Sequence, residues 1–244
     1  MGALGDSFYE YLLKAWLQSG KRDSDARRMY DDAINAIYNY LVQTSTKSKL
    51  TYLAEMKYDR IEHKMDHLAC FAGGLFALGA SSDPARDERN ESPDLEDKFM
   101  ILGKEIANTC HESYIRTSTR IGPESFRFSD QIEAVASRTN EKYYILRPEV
   151  VESWFYLWRL TKNNLYREWA WDTVLALDRH CRVDHGYTGI KNVYDINSPK
   201  DDVQQSFLFA ELFKYLFLIF SDDDTVHFDH WVFNTEAHPL PILH

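Results

Sequence analysis

Positive charge is scarce in this chain. Its 244 residues hold 28 Lys and Arg against 38 Asp and Glu, a formal net charge of −10. Nucleic acid and anionic membrane both select clustered Lys and Arg, so the balance argues against either as a partner. A neutral or cationic ligand suits such a surface. Long apolar runs are missing as well. No stretch of 18 apolar residues is available to span a bilayer. The longest candidate, Phe207 to Phe220, is broken by Glu211 and Lys214. Met1 to Asp6 has neither a basic n-region nor an apolar h-region, so as written the chain reads as soluble and untargeted. No fixed-period repeat occurs, which argues against a solenoid of identical units. Cysteine is rare. Cys70, Cys110 and Cys181 form an odd set, which allows one pair and one free thiol without saying which.

What the chain does have is apolar and aromatic bulk. Apolar residues make up 44%, enough for the core of one large domain. The 15 Tyr, 14 Phe and 6 Trp are mostly helix contacts by this reading, although flat rings also stack on sugar faces. Apolar spacing predicts helices over 6–17, 23–42, 67–78, 98–114, 148–161, 165–180 and 204–220. Asp23 or Ser24 is a plausible N-cap for the second, and Pro148 suits the first position of the fifth. Residues 50–56 read as short and extended, 80–93 as a polar loop, 126–128 as the start of an irregular stretch, 186–193 as an extended loop or hairpin, and 231–233 as a strand. Periodicity alone says "mostly α".

Three segments are dense in chemistry. Phe233-Asn234-Thr235-Glu236-Ala237-His238-Pro239 packs an amide, a hydroxyl, a carboxylate and an imidazole into seven positions. Thr235 offers a hydroxyl and a carbonyl oxygen, the ligands hard cations such as Ca²⁺ take. Glu236 beside it suits a cation's water shell or a sugar hydroxyl. In Arg147-Pro148-Glu149-Val150-Val151-Glu152, Glu149 sits near a helix N-terminus, where the dipole favours the ionised carboxylate that a general base needs. Glu152 shares its face. Both are equally readable as ordinary first-turn acids. In Gly5-Asp6-Ser7-Phe8-Tyr9-Glu10-Tyr11, Asp6 is either a cap or a functional carboxylate. His67 reads as a core histidine or a ligand, and Phe207 as core. Phe207 and Glu211 are four apart and face one side.

Taken together these segments resemble the class I α1,2-mannosidases of glycoside hydrolase family 47. Leu4-Gly5-Asp6-Ser7-Phe8-Tyr9-Glu10-Tyr11-Leu12-Leu13-Lys14 is similar to the family's catalytic aspartate motif, and Arg147-Pro148-Glu149 to its Arg-Pro-Glu motif. Leu4 stands where the endoplasmic-reticulum type has an arginine, which points to the Golgi type and to broader branch tolerance. The resemblance implies a mainly α fold, part of an α/α barrel with short β-hairpins at the site end. It implies Asp6, Glu124 and Glu149 as catalytic carboxylates, with Glu149 the base that activates water. His67, Arg147, Glu152, Phe207, Glu211 and Glu236 become substrate-binding residues, and Thr235 the Ca²⁺ ligand. Glu124 rests on Gly122-Pro123-Glu124, in which one glycine is displaced from the family's Gly-x-x-Pro-Glu pattern.

The implied reaction is inverting hydrolysis of terminal α1,2-linked mannose from high-mannose N-glycans. Two carboxyl groups about 6.5–9.5 Å apart would serve it. The resemblance also implies a Cys70–Cys110 disulfide and hence the lumen of the Golgi or endoplasmic reticulum. The Asn90-Glu91-Ser92 sequon agrees with that compartment. The motifs run from Leu4 to Pro241, so residues 1–244 read as the C-terminal portion of one catalytic domain. Its acid would lie upstream, its parent would be membrane-anchored, and the chain alone would be nearly inactive. The alternative is a non-catalytic mannose-binding relative of glycoprotein quality control. Such relatives generally lack the cysteine pair, which favours the enzyme.

Overall fold

The structure is a computed structural model that describes residues 5–83 and 97–243. Leu4 and the Asn90 sequon lie outside the described residues, as does most of the expected 80–93 loop. Seven α-helices carry the described fold: α1 Asp6–Gln18, α2 Ser24–Leu41, α3 Ala72–Ser81, α4 Lys98–Ile115, α5 Glu149–Thr161, α6 Leu165–His180 and α7 Phe213–Phe220. Side chains close two of their N-termini. Asp23 accepts from Ala26 N at 3.0 Å, and Asp97 accepts from Phe99 N at 2.7 Å. Each satisfies one orphan donor of a first turn. Pro148 stands at the N-cap of α5, one position before the helical residue the sequence suggested. No helix among the described residues is long and apolar enough to cross a membrane.

The helices alternate between two layers. Helix α3 packs against α5 and α5 against α7, while α4 covers the α3–α5 junction and α6 the α5–α7 junction. This is an arc of paired helices, the expected partial barrel wall. Composition follows the layers. Helix α3, Ala-Gly-Gly-Leu-Phe-Ala-Leu-Gly-Ala-Ser, is buried at nine of its ten positions, Ala72 to Ala80. Helix α2 buries only Tyr30, Ile34 and Ile37, one stripe at helical spacing. Small residues let α3 and α4 touch backbone to backbone: a Cβ added at Gly103 would stand 2.6 Å from the Gly73 carbonyl oxygen.

Short strands close the ends of the arc. The sequence left residues 126–128 irregular, but they belong to a three-stranded antiparallel sheet of β5 Lys64–Asp66, β6 Ser125–Phe128 and β7 Glu133–Val135. Four more hairpins pair β1 Val42–Thr44 with β2 Thr51–Leu53, β3 Glu55–Lys57 with β4 Arg60–Glu62, β8 Arg182–Val183 with β9 Gly186–Tyr187, and β10 Trp231–Phe233 with β11 Pro239–Pro241. The last is locked into the core by Phe233, whose ring meets Phe155 of α5 edge-on at 5.6 Å. Residues 67–71 form a 3₁₀ turn before α3 rather than its first turn.

Cys70, in that 3₁₀ turn, is bonded to Cys110 of α4 across 40 residues of sequence. In the chain-entropy model such a loop contributes about 4 kcal/mol. Cys181 is free and buried. Burial pushes its thiol up to about 12, so it stays an unreactive thiol at neutral pH.

The α3–α4 contact is directly testable. Gly103→Ala puts a methyl group against a backbone oxygen that no rotamer change can move. We expect a loss of about 2–3 kcal/mol, or roughly 5–10 °C in the midpoint of a circular-dichroism melt. An unchanged midpoint would contradict this packing.

Candidate active site

One cavity of about 270 Å³ is lined by six acidic side chains, Asp6, Glu10, Glu149, Glu152, Glu211 and Glu236. Arg147, Phe207 and Thr235 also line it. The acids come from four separate elements. Asp6 and Glu10 lie one turn apart on α1, and Glu149 and Glu152 open α5. Glu211 sits in a π-turn, Leu208–Leu212, that precedes α7. Such turns wind wider than an α-helix and are frequent at functional sites. Glu236 and Thr235 belong to the β10–β11 turn.

That turn is pinned from three sides. Thr235 N donates to the Tyr11 hydroxyl of α1 at 3.3 Å. Lys214 of α7 donates to the Ala237 carbonyl at 2.7 Å. The Asn234 side chain accepts from Glu236 N at 3.0 Å and from His238 N at 2.8 Å, an Asx-type closure. Ala237 is held at φ 55°.

Glu149 is the most firmly placed of the six. Its Oε2 meets His67 Nδ1 at 2.8 Å, and His67 Nε2 meets the Tyr114 hydroxyl at 2.8 Å. With its proton assigned to Nδ1, the imidazole donates to Glu149 and accepts at Nε2 from Tyr114. The other face of Glu149 meets Arg147, with Nη1 to Oε1 at 3.7 Å. Arg147 in turn grips Glu124 through two bonds of 2.6 Å each. Burial works against the charge on Arg147. The bond to Glu124 and the charges of Glu149 and Glu124 outweigh it and hold the guanidinium firmly ionised. The β5–β6–β7 sheet sets this up, because His67 N donates to the Glu124 carbonyl at 2.8 Å just past its edge. Leu146, fully buried at φ 68°, turns the chain into the motif at a cost of order 1–2 kcal/mol.

Two of the expected residues do not line the cavity. His67 is fully buried behind Glu149, and Glu124 lies one guanidinium back, behind Arg147; neither lines the cavity. Phe207 is half-buried and does line it, as an apolar patch among the acids. Two residues went unassigned in the sequence. Glu10 faces the cavity four positions after Asp6, a spacing that would have found it. Lys14 is 4% exposed and donates to Glu10, one turn further along α1. Its ammonium lies 5.6 Å from the Tyr156 ring centroid. Burial alone would lower the pKa of Lys14, but Tyr156, Glu10 and Glu152 together raise it.

The acids do not all ionise alike. Burial first, then the charge of Glu10, pushes Glu152 up to about 8; Lys14 partly offsets this. Burial, then Glu152, Glu149 and Glu236, pushes Glu211 up to about 9. Both are held in the protonated form that can donate a hydrogen bond.

A raised carboxylate has a definite signature in stability. Between its unfolded value of 4.5 and its folded value near 8, Glu152 binds more proton in the folded state. Stability therefore falls as pH rises through that window. Glu152→Gln, which mimics the protonated acid, should match the parent chain near pH 4.5. By pH 8 it should be the more stable of the two, by a margin on the order of a few kcal/mol. Urea unfolding at several pH values in a chelator checks this. A constant difference across pH would refute the assignment.

Comparison with known proteins follows the same lines. Residues 1–242 match the family model described as glycosyl hydrolase family 47. A Drosophila melanogaster mannosyl-oligosaccharide alpha-1,2-mannosidase IA is 61% identical over 99% of this chain and 35% of its own length. The human mannosyl-oligosaccharide 1,2-alpha-mannosidase IB is 57% identical over 100% of this chain and 37% of its own length. A solved α-1,2-mannosidase from Trichoderma reesei superposes with a TM-score of 0.84 at 30% identity, covering 98% of this chain and 51% of that one. The chain thus spans about a third of these curated relatives and half of the solved structure. On this match the chain belongs to glycosyl hydrolase family 47.

Proposed function

We propose that this chain is the C-terminal portion of the catalytic domain of a Golgi-type α1,2-mannosidase. The domain removes terminal α1,2-linked mannose from high-mannose N-glycans with inversion. The observation that carries this reading is the grip on Glu149. One carboxylate of the acidic cavity is oriented from behind by a Tyr114–His67 pair and steadied from the side by Arg147. A general base needs this kind of fixed geometry and an ionised form. Phe207 offers the flat face on which a sugar ring stacks, and the protonated Glu152 and Glu211 offer donors to its hydroxyls. Arg147, Asp6 and Glu236 complete the polar wall, and Glu124 acts through Arg147.

The cavity also fits a hard cation. Its wall is rich in oxygen, and Thr235 brings its hydroxyl and its carbonyl to the turn beside Glu236. Among the described residues no three His, Cys, Asp or Glu side chains stand close enough to hold one ion together. The cation would therefore be held by Thr235 and water, with the carboxylates gripping the water. Ca²⁺ so bound supplies a fixed positive charge that orients and polarises sugar oxygens. The Cys70–Cys110 bond supports residence in an oxidising lumen of the secretory pathway, which suits N-glycan trimming.

The test is mannose release from a Man9 glycan with Ca²⁺, with the product anomer read by proton NMR. In a protein that carries this chain within a whole family 47 domain, Glu149→Gln should cut turnover by about 10²–10⁴ while leaving glycan binding nearly intact. Thr235→Ala should weaken Ca²⁺ binding about tenfold or more by calorimetry. By itself the chain should turn over far more slowly, since its helices build an open arc. Release with retained configuration would remove the assignment.

A further inference from the structure

A second cavity, of about 440 Å³, lies between α4 and α6. Trp154 of α5 lines it. Trp154 is five residues from Glu149 and two from Glu152, so on a helix of 3.6 residues per turn it points away from the acidic cavity. The groove is thus on the outer side of the wall.

Its floor is aromatic. The rings of His111 and Trp169 are stacked at 4.0 Å and 9°, and Trp154 meets both edge-on, at 5.9 and 5.7 Å. Burial, then Arg120, pushes His111 down to about 4, so the imidazole is neutral at physiological pH. A neutral imidazole carries one donor and one acceptor. Among the described residues neither nitrogen of His111 has a hydrogen-bond partner. The Trp154 indole N–H is buried and likewise unpartnered. The Trp154 N–H is closed off, whereas the His111 nitrogens are open to a ligand's hydroxyls.

The rim decides the ligand's charge. Arg120, Arg179, Asp172 and Asp178 line the opening, and Asp178 is paired with Arg182 at 2.9 Å. His180, also on the rim, is held below its usual range by burial, Arg179 and Lys200, and adds no charge. A rim that mixes charges of both signs gives a ligand of one sign little net attraction. These exposed side chains offer donors and acceptors that an apolar ligand would leave unused. A neutral ring with an apolar face and a girdle of hydroxyls satisfies both the floor and the rim.

We infer that this groove is a second, non-catalytic saccharide site that takes a neutral hexopyranose unit. Mannose as the particular sugar rests on the mannosidase reading; the class of ligand rests on the groove alone. A branched glycan could thereby be held by one arm on the outer wall while another is processed.

The experiment is NMR of the chain labelled with ¹⁵N at histidine and tryptophan, in Ca²⁺ buffer, titrated with methyl α-mannopyranoside. The ring signals of His111 and Trp169 should move saturably. Asp172→Ala and Arg179→Ala change exposed rim residues outside the acidic cavity. Each should weaken this binding about tenfold or more, with the melting midpoint unchanged. No saturable movement of either ring, or equal affinity in both variants, overturns the site. Movement confined to His67 means that the sugar reads only the acidic cavity, and overturns it too. Failure of the mannosidase reading would appear separately, as absent glycan hydrolysis in the whole domain, and would leave the His111 and Trp169 shifts in place.

Discussion

Six carboxylates crowded into one cavity set the terms for the rest of this chain. Two like charges 4 Å apart repel by about 1 kcal/mol in water and about 4 kcal/mol at the dielectric typical of protein. Left alone, such a cluster would push its own walls apart. The chain answers in three ways. Two buried or half-buried cations, Lys14 and Arg147, stand among the acids. Glu152 and Glu211 keep their protons, which removes charge without removing shape. Glu149 is held by one hydrogen bond with His67 and lies 3.7 Å from the Arg147 guanidinium.

Strain of this kind requires a wall that cannot yield, and the packing behind the site supplies one. The α3–α4 crossing brings backbones into contact through Gly73 and Gly103, and the Cys70–Cys110 bond crosses the same seam. Ser153 of α5 donates to the Cys70 carbonyl and accepts from Gly74 N at 2.8 Å, so the helix that carries Glu149 is fastened to that seam. On the other side, the rings of Phe155, Tyr215 and Phe233 lock α5, α7 and the β10–β11 turn into one aromatic cluster. Charge repulsion at the centre is therefore opposed by apolar burial and a covalent tie at the rear.

Much of this was legible from residue order, and the exceptions have physical reasons. The helices announce themselves through apolar spacing over three or more turns, and α6 has the bounds that spacing suggests. The β5–β6–β7 sheet does not, because Lys64–Asp66 pairs with Ser125–Phe128 about sixty residues away and each strand is too short to show a period. The π-turn around Glu211 is invisible for a related reason: one extra residue in a turn changes no composition. The left-handed backbone at Leu146 and Ala237 breaks the preference of both residues, and tertiary contacts alone impose it. Lys14 was missed because a lysine in an amphipathic helix reads as a solvated face. Only the placement of Glu10, Glu152 and Tyr156 around it shows why its charge is kept inside.

The same logic separates roles among residues of one type. Glu149 and Glu152 lie three apart in the first turn of one helix and feel the same dipole, so sequence alone treats them as equivalent. Their neighbours differ. Glu149 meets a histidine whose other nitrogen is already occupied by Tyr114, together with a guanidinium. Glu152 meets Tyr215 at 3.2 Å and the charge of Glu10, in full burial. Burial and Glu10 favour the acid at Glu152. Environments that differ between neighbouring carboxyls are how a single cavity can give them different roles. Glu152 owes its raised value to burial and Glu10, against the opposing pull of Lys14 and of the Tyr215 hydrogen bond. A reading limited to the residues that line the cavity would have missed that opposing pull.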